Sequence, residues 1–64
     1  MKIFLPDKAV RLIDCRHLPV DQLLRGLGLN AVEVIVSRNG KLVPGDAIVG
    51  EDDEIRILRI AHGG

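Results

Sequence analysis

The spacing of apolar residues changes twice along the chain, and each change marks a different kind of element. Residues 2–5 and 9–15 read as two short strands joined by Pro6, Asp7 and Lys8, a turn-prone stretch that suits an opening hairpin. In the second strand Val10, Leu12 and Asp14 share one face, with Arg11, Ile13 and Cys15 on the other. From Pro19 the period lengthens. Val20, Leu23, Leu24 and Leu27 stand at i, i+3, i+4 and i+7, the apolar stripe of an α-helix and the one helical pattern in the chain. Pro19 suits the first helical position, Asp21 complements the positive end of the helix dipole, and Gly28 can take the left-handed backbone that closes helices. Neither His17 nor Leu18 offers a good capping side chain, and Gly26 costs a helix about 0.5–1 kcal/mol relative to Ala. Packing must hold this helix in place.

Residues 32–37 return to period two, with Val32, Val34 and Val36 on one face and Glu33, Ile35 and Ser37 on the other. Asn39 and Gly40 tolerate the two positive φ angles of a tight hairpin turn, so a short strand over residues 41–43 should follow. Pro44, Gly45 and Asp46 end it, residues 47–50 read as irregular, and Glu51, Asp52, Asp53 and Glu54 as a solvated turn. Residues 55–60 form the last strand. The order is hairpin, helix, hairpin, strand: an α+β domain over residues 1–60, with one helix on one side of a small sheet and a flexible tail at 61–64. Such a sheet has one uncovered face. If Ile55 and Ile57 point to the core, strict alternation sends Leu58 and Ile60 outward beside Arg56, whereas a bulge near Leu58 turns them inward. Apolar groups exposed so close to the tail would mark a docking surface.

At 64 residues the chain buries only about 60% of its unfolded surface, which leaves little room for a walled active-site cavity beside a core and argues against an enzyme. Phe4 is the sole aromatic residue, and nine Lys and Arg balance nine Asp and Glu. The chain therefore has neither stacking platforms nor a basic footprint for direct nucleic-acid binding. A single cysteine forms no internal disulfide, in keeping with a reducing cytoplasm, and the run of three apolar residues at Ile3, Phe4 and Leu5 is too short for an export signal or a membrane span. Cys15, His17 and His62 are too few and too poorly spaced for a zinc site, and Cys15 reads as a small hydrophobe. The acidic run lacks the alternating ligands and central glycine of a calcium loop. No catalytic, metal or cofactor-binding residue is expected.

The Gly63–Gly64 end is the feature that carries chemistry. Two residues without Cβ let an extended tail enter a narrow channel in a partner and bring a terminal carboxylate to a bound nucleotide. Attack of that carboxylate on the α-phosphate of ATP gives an acyl-adenylate, a good acyl donor. Val32, Val34 and Val36, then Asn39 and Gly40, Val43 and Pro44, the acidic turn leading into Ile55 and Ile57, and terminal Gly63 and Gly64 resemble, in this order, the sulfur-carrier proteins of thiamine and molybdenum-cofactor biosynthesis.

That resemblance implies a ubiquitin-like β-grasp fold, with a small mixed sheet of four to five strands and one helix on one face. It implies a carrier that is itself no enzyme and binds no cofactor. Gly64 would be the site of adenylation and thiocarboxylate formation, Gly63 the spacer, and Leu58 and Ile60 docking residues. The partners implied are a ubiquitin-activating-type adenylating enzyme that uses ATP, a sulfur donor, and a thiazole synthase or other sulfur acceptor. The compact chain matches the thiamine carrier better than the molybdopterin synthase subunit. The same tail serves carriers for transfer-RNA thiolation and ubiquitin-like modifiers joined to lysines, and a non-covalent β-grasp interaction module is the third reading. Two departures from the family pattern stand out: Asp52 occupies a turn position that is commonly Gly, where left-handed backbone would cost little for Asp, and no Ser or Thr precedes the helix.

Overall fold

The computed structural model describes residues 1–14 and 16–60. Strands β1 (Lys2–Phe4) and β2 (Val10–Leu12) pair antiparallel as the opening hairpin. Its turn closes with Lys8 N–H donating to the Leu5 carbonyl at 3.0 Å, Leu5 N–H to the Ala9 carbonyl at 2.8 Å, and Ala9 N–H to Asp7 Oδ1 at 3.0 Å. Lys8 takes φ 73°, a left-handed conformation that costs a residue bearing Cβ about 1–2 kcal/mol. Lys8→Gly should relieve it. Allowing for the larger unfolded-state entropy of glycine, the variant is expected to gain about 1 kcal/mol, read as a raised denaturation midpoint at unchanged slope.

Helix α1 (Val20–Gly26) buries Val20, Leu23 and Leu24, while Leu27 lies half-buried beyond it. Pro19 is its N-cap and not its first helical residue, so the helix begins one residue later than the sequence pattern predicts, and Pro19 contributes no side-chain bond. The missing cap is replaced by the backbone of a distant loop. Val20 N–H donates to the Ala47 carbonyl and Asp21 N–H to the Gly45 carbonyl, each at 2.9 Å, so tertiary contact satisfies two of the orphan donors at the helix start. At the other end Gly28, at φ 75°, allows a full Schellman closure: Leu29 N–H reaches the Leu24 carbonyl and Gly28 N–H the Arg25 carbonyl.

A single 3₁₀ turn at Ala31–Glu33, with the Asn30 side chain accepting from Val32 N–H, precedes β4 (Val34–Arg38). The alternating valines therefore start two residues later than expected. Val34 and Val36 are buried, but Val32 lies in the turn and is 74% exposed. Asn39 and Gly40, at φ 52° and 88°, make the predicted hairpin to β5 (Lys41–Val43). Residues 47–50 are not irregular: β6 (Ile48–Gly50) pairs antiparallel with β3 (His17–Pro19), a strand that no periodicity announced, in a separate two-stranded sheet. Val49 of β6 is fully buried.

The last strand, β7 (Glu54–Arg59), takes the centre of the five-stranded sheet, in the order β2-β1-β7-β4-β5. It runs parallel to β1 and antiparallel to β4. Ile3, Ile55 and Ile57 from these middle strands meet Val34, Val36, Val49 and the helix stripe in one core. Asp52 carries no left-handed backbone, so the departure from glycine at that turn costs nothing in φ.

Candidate functional site

The central position of β7 decides which of its side chains a partner can reach. Its pairing with β4 is continuous, from Arg38 opposite Ile55 to Val34 opposite Arg59, and this excludes a bulge at Leu58. Strict alternation therefore holds. Ile55 and Ile57 are fully buried, and Glu54, Arg56 and Leu58 face outward. Ile60 continues the alternation just past the strand, with its N–H on the Glu33 carbonyl at 2.8 Å. Leu58 is 49% exposed and Ile60 38%, so both predicted docking residues present apolar surface where the described chain ends.

The strand order builds a wider surface around them. Ile35 lies directly opposite Leu58, and Leu42 of β5 sits opposite Ser37 on the same face. On the β1 side, the Arg56 guanidinium stands 4.7 Å from the centre of the Phe4 ring and the Lys2 ammonium 5.2 Å from it. Exposed Val10 and Leu12 extend the face to the β2 edge. The outcome is an uncovered apolar sheet face with cations near its middle, a form suited to protein docking. Alternation in β4 already sets Ile35 apart from the core valines, but Phe4, Leu42, Val10 and Leu12 join Leu58 only through the order of the strands. The Arg56–Glu54 pair at 3.8 Å is largely solvated and adds at most about 1 kcal/mol.

The entry to β7 is held by a clasp. Asp53 accepts from Gly50 N–H through Oδ2 at 2.8 Å and from Asn39 Nδ2 through Oδ1 at 3.0 Å, while Asn39 Oδ1 accepts from Glu54 N–H at 2.9 Å. The Asn-Gly turn thereby fixes the start of the central strand as well as its own hairpin. The Gly50 N–H bond, seconded by Asn39 and by the charges of Arg38 and His17, outweighs desolvation and lowers the Asp53 carboxyl below its ordinary 3.8. A carboxylate whose folded pKa is depressed stabilises the fold above its unfolded value, and this contribution is lost as pH falls from about 3.8 through the folded value. Asp53→Asn keeps the shape, but one carboxamide cannot accept both bonds. Turning the Asn39 amide to compensate strips Glu54 N–H of its acceptor. The variant should lose about 1 kcal/mol at neutral pH, and its stability should converge with the parent's as pH falls below 3.8 and through the depressed folded value in denaturant titrations.

The acidic run is thus a solvated turn at Glu51 and Asp52, a structural acceptor at Asp53 and, at Glu54, the exposed first residue of β7. Among the described residues, no three His, Cys, Asp or Glu side chains are grouped to hold a metal. Cys15 and His62 lie outside the described residues, as do Gly63 and Gly64. Among the described residues no helix is long and apolar enough to cross a membrane.

A mixed sheet with parallel central strands, one helix across one face and a bare apolar face on the other defines a ubiquitin-like β-grasp protein. The chain belongs to the small archaeal modifier protein 2 family, whose model matches residues 9–61. It is similar over 100% of both chains to the thiamine biosynthesis protein ThiS from Geobacter metallireducens, with 28% identity and a TM-score of 0.70. No curated protein matches the sequence. These likenesses support a sulfur carrier of the ThiS/MoaD type, in agreement with the resemblance read from the residues.

Proposed function

We propose that the chain is a sulfur carrier whose reactive atom is its own terminus, and that the outer sheet face docks an ATP-using adenylating partner through Leu58, Ile60 and Ile35. The observation that supports this most directly is the likeness to ThiS over the full length of both chains, in a chain ending in Gly63 and Gly64. Ile60 is the last of the described residues tied to the sheet, and four extended residues can span at most about 14 Å. The partner's nucleotide must lie within that reach of the docked face. The Gly64 carboxylate attacks the α-phosphate of ATP and expels pyrophosphate; a sulfur nucleophile then displaces AMP from the acyl carbon, leaving a thiocarboxylate. Gly63 is the spacer that lets the tail thread the partner's channel. The thiocarboxylate delivers sulfur to an acceptor enzyme, with thiazole formation in thiamine biosynthesis the reaction favoured by the ThiS likeness.

Intact-protein mass spectrometry of the chain from its native host is the test. A mass increase equal to exchanging oxygen for sulfur, localised by fragmentation to Gly64, is the expected result. The family match favours a second reading, in which the same activated carboxyl forms isopeptide bonds with lysines. Slower-migrating conjugates that vanish when Gly64 is deleted, with no sulfur-bearing form detected, would select it.

A further inference from the structure

The Asn39–Gly40 turn sets an amide side chain next to a glycine nitrogen, and the two can react with each other. Attack of a backbone nitrogen on the Cγ of the preceding asparagine closes a five-membered ring, and a glycine in second place leaves that approach free of a Cβ. Here both residues are exposed, at φ 52° and 88°, and a Cβ built on Gly40 would meet no atom within 4 Å. Among the described residues, Gly40 N–H donates no backbone hydrogen bond. The nucleophile is open to solvent.

The electrophile is held. Asn39 Nδ2 donates to Asp53 Oδ1 at 3.0 Å and Asn39 Oδ1 accepts from Glu54 N–H at 2.9 Å, so both ends of the carboxamide are tied to the entry of β7. Swinging Cγ onto the Gly40 nitrogen breaks these bonds. The reaction therefore passes through a local opening of the clasp, and the population of that opening sets its rate.

We propose that Asn39 is a site of spontaneous, irreversible modification, held back by Asp53 and Glu54, and that its conversion dismantles the clasp that slows it. The Gly40 nitrogen loses its proton and bonds to Asn39 Cγ, the Cγ–Nδ2 bond breaks, and Nδ2 takes up a proton from solvent to leave as ammonia. Water then adds to either carbonyl of the succinimide ring and opens it to aspartate or isoaspartate at position 39; no atom is oxidised or reduced. Aspartate keeps an acceptor for Glu54 N–H but sets its second oxygen where Nδ2 stood, against Asp53 Oδ1. Two carboxylates at that distance repel unless one is protonated. Arg38 and His17, the basic groups facing Asp53, are already offset by Glu51, Asp52 and Asp53 itself. Isoaspartate routes the main chain through the side chain, adding a methylene to a two-residue turn whose register sets Arg38 opposite Lys41. Either product releases the start of the central strand. The site is independent of the tail chemistry, and a chain aged through it differs from a new one in the strand that carries the docking face.

The test follows the full chain, folded and in denaturant, through incubation at mildly alkaline pH by peptide mapping with mass spectrometry. The mass gain of replacing NH₂ by OH, localised to Asn39, is expected in both, about tenfold or more slower in the folded chain because two hydrogen bonds must open first. Asp53→Asn, which stays folded but leaves the amide one bond short, should react about fivefold faster than the folded parent. Asn39→Asp, standing in for the product, should be less stable than the parent at neutral pH and recover toward it as pH falls toward 3.8, where the paired carboxylates take up a proton. A mass gain confined to the unfolded chain, equal rates for Asp53→Asn and the parent, or an Asn39→Asp protein with the parent's stability at neutral pH would each overturn the proposal.

Discussion

Appending one residue after Gly64 is expected to abolish adenylation while leaving the unfolding curve where it is. The added residue moves the terminal carboxylate by about 3.5 Å along an extended tail. In a reaction that depends on positioning, a misplacement of only 1 Å can cost about 10²-fold, so the loss should reach at least that size. The fold should not respond, because among the described residues the last tie to the sheet is Ile60 N–H on Glu33 and the last buried core residue is Ile57. Pyrophosphate release with the partner enzyme measures the first effect and denaturant titration the second. An extended protein activated at the parental rate would remove Gly64 as the reacting group.

Two adjacent residues of β7 should fail in opposite ways. Ile57 has no exposed surface and pairs with Val36 at the centre of the sheet, so Ile57→Ala opens a cavity that the surrounding strands cannot collapse. The expected loss is about 2–5 kcal/mol, which is most of what a core of this size supplies. The variant should be largely unfolded at 37 °C by circular dichroism. Leu58→Asp, one residue on, removes a half-exposed side chain and should cost no more than about 1 kcal/mol. Its spectrum should remain native, while the KM for the carrier in the adenylation assay rises about tenfold or more, because an aspartate placed beside Ile35 interrupts the apolar contact. A Leu58→Asp protein that is activated normally would move the docking surface elsewhere.

The features legible beforehand are those whose cause lies within a few residues. Asn39 and Gly40 announce their turn because both positions need positive φ, and Val20, Leu23 and Leu24 announce a helix because 3.6 residues per turn brings them together. Alternation alone separates Ile55 and Ile57 from Leu58 and Ile60, and the structure had only to exclude a bulge. Val32 marks where such reasoning overreaches: it keeps the period of the valine strand, yet Asn30 captures its N–H and winds the chain into a 3₁₀ turn.

By itself, then, the order of residues determined the helix, both hairpins and the inward and outward sides of the last strand. Only the tertiary structure decided what these elements meet. β3 and β6 have too few residues to show a period and exist because they pair with each other, while the loop before β6 supplies the carbonyls that cap a helix with no capping side chain of its own. The same holds for the outer face: Phe4, Ile35, Leu42 and Leu58 are scattered along the chain. Strand order unites them. That order follows from burying one shared core, and that free energy belongs to no single segment.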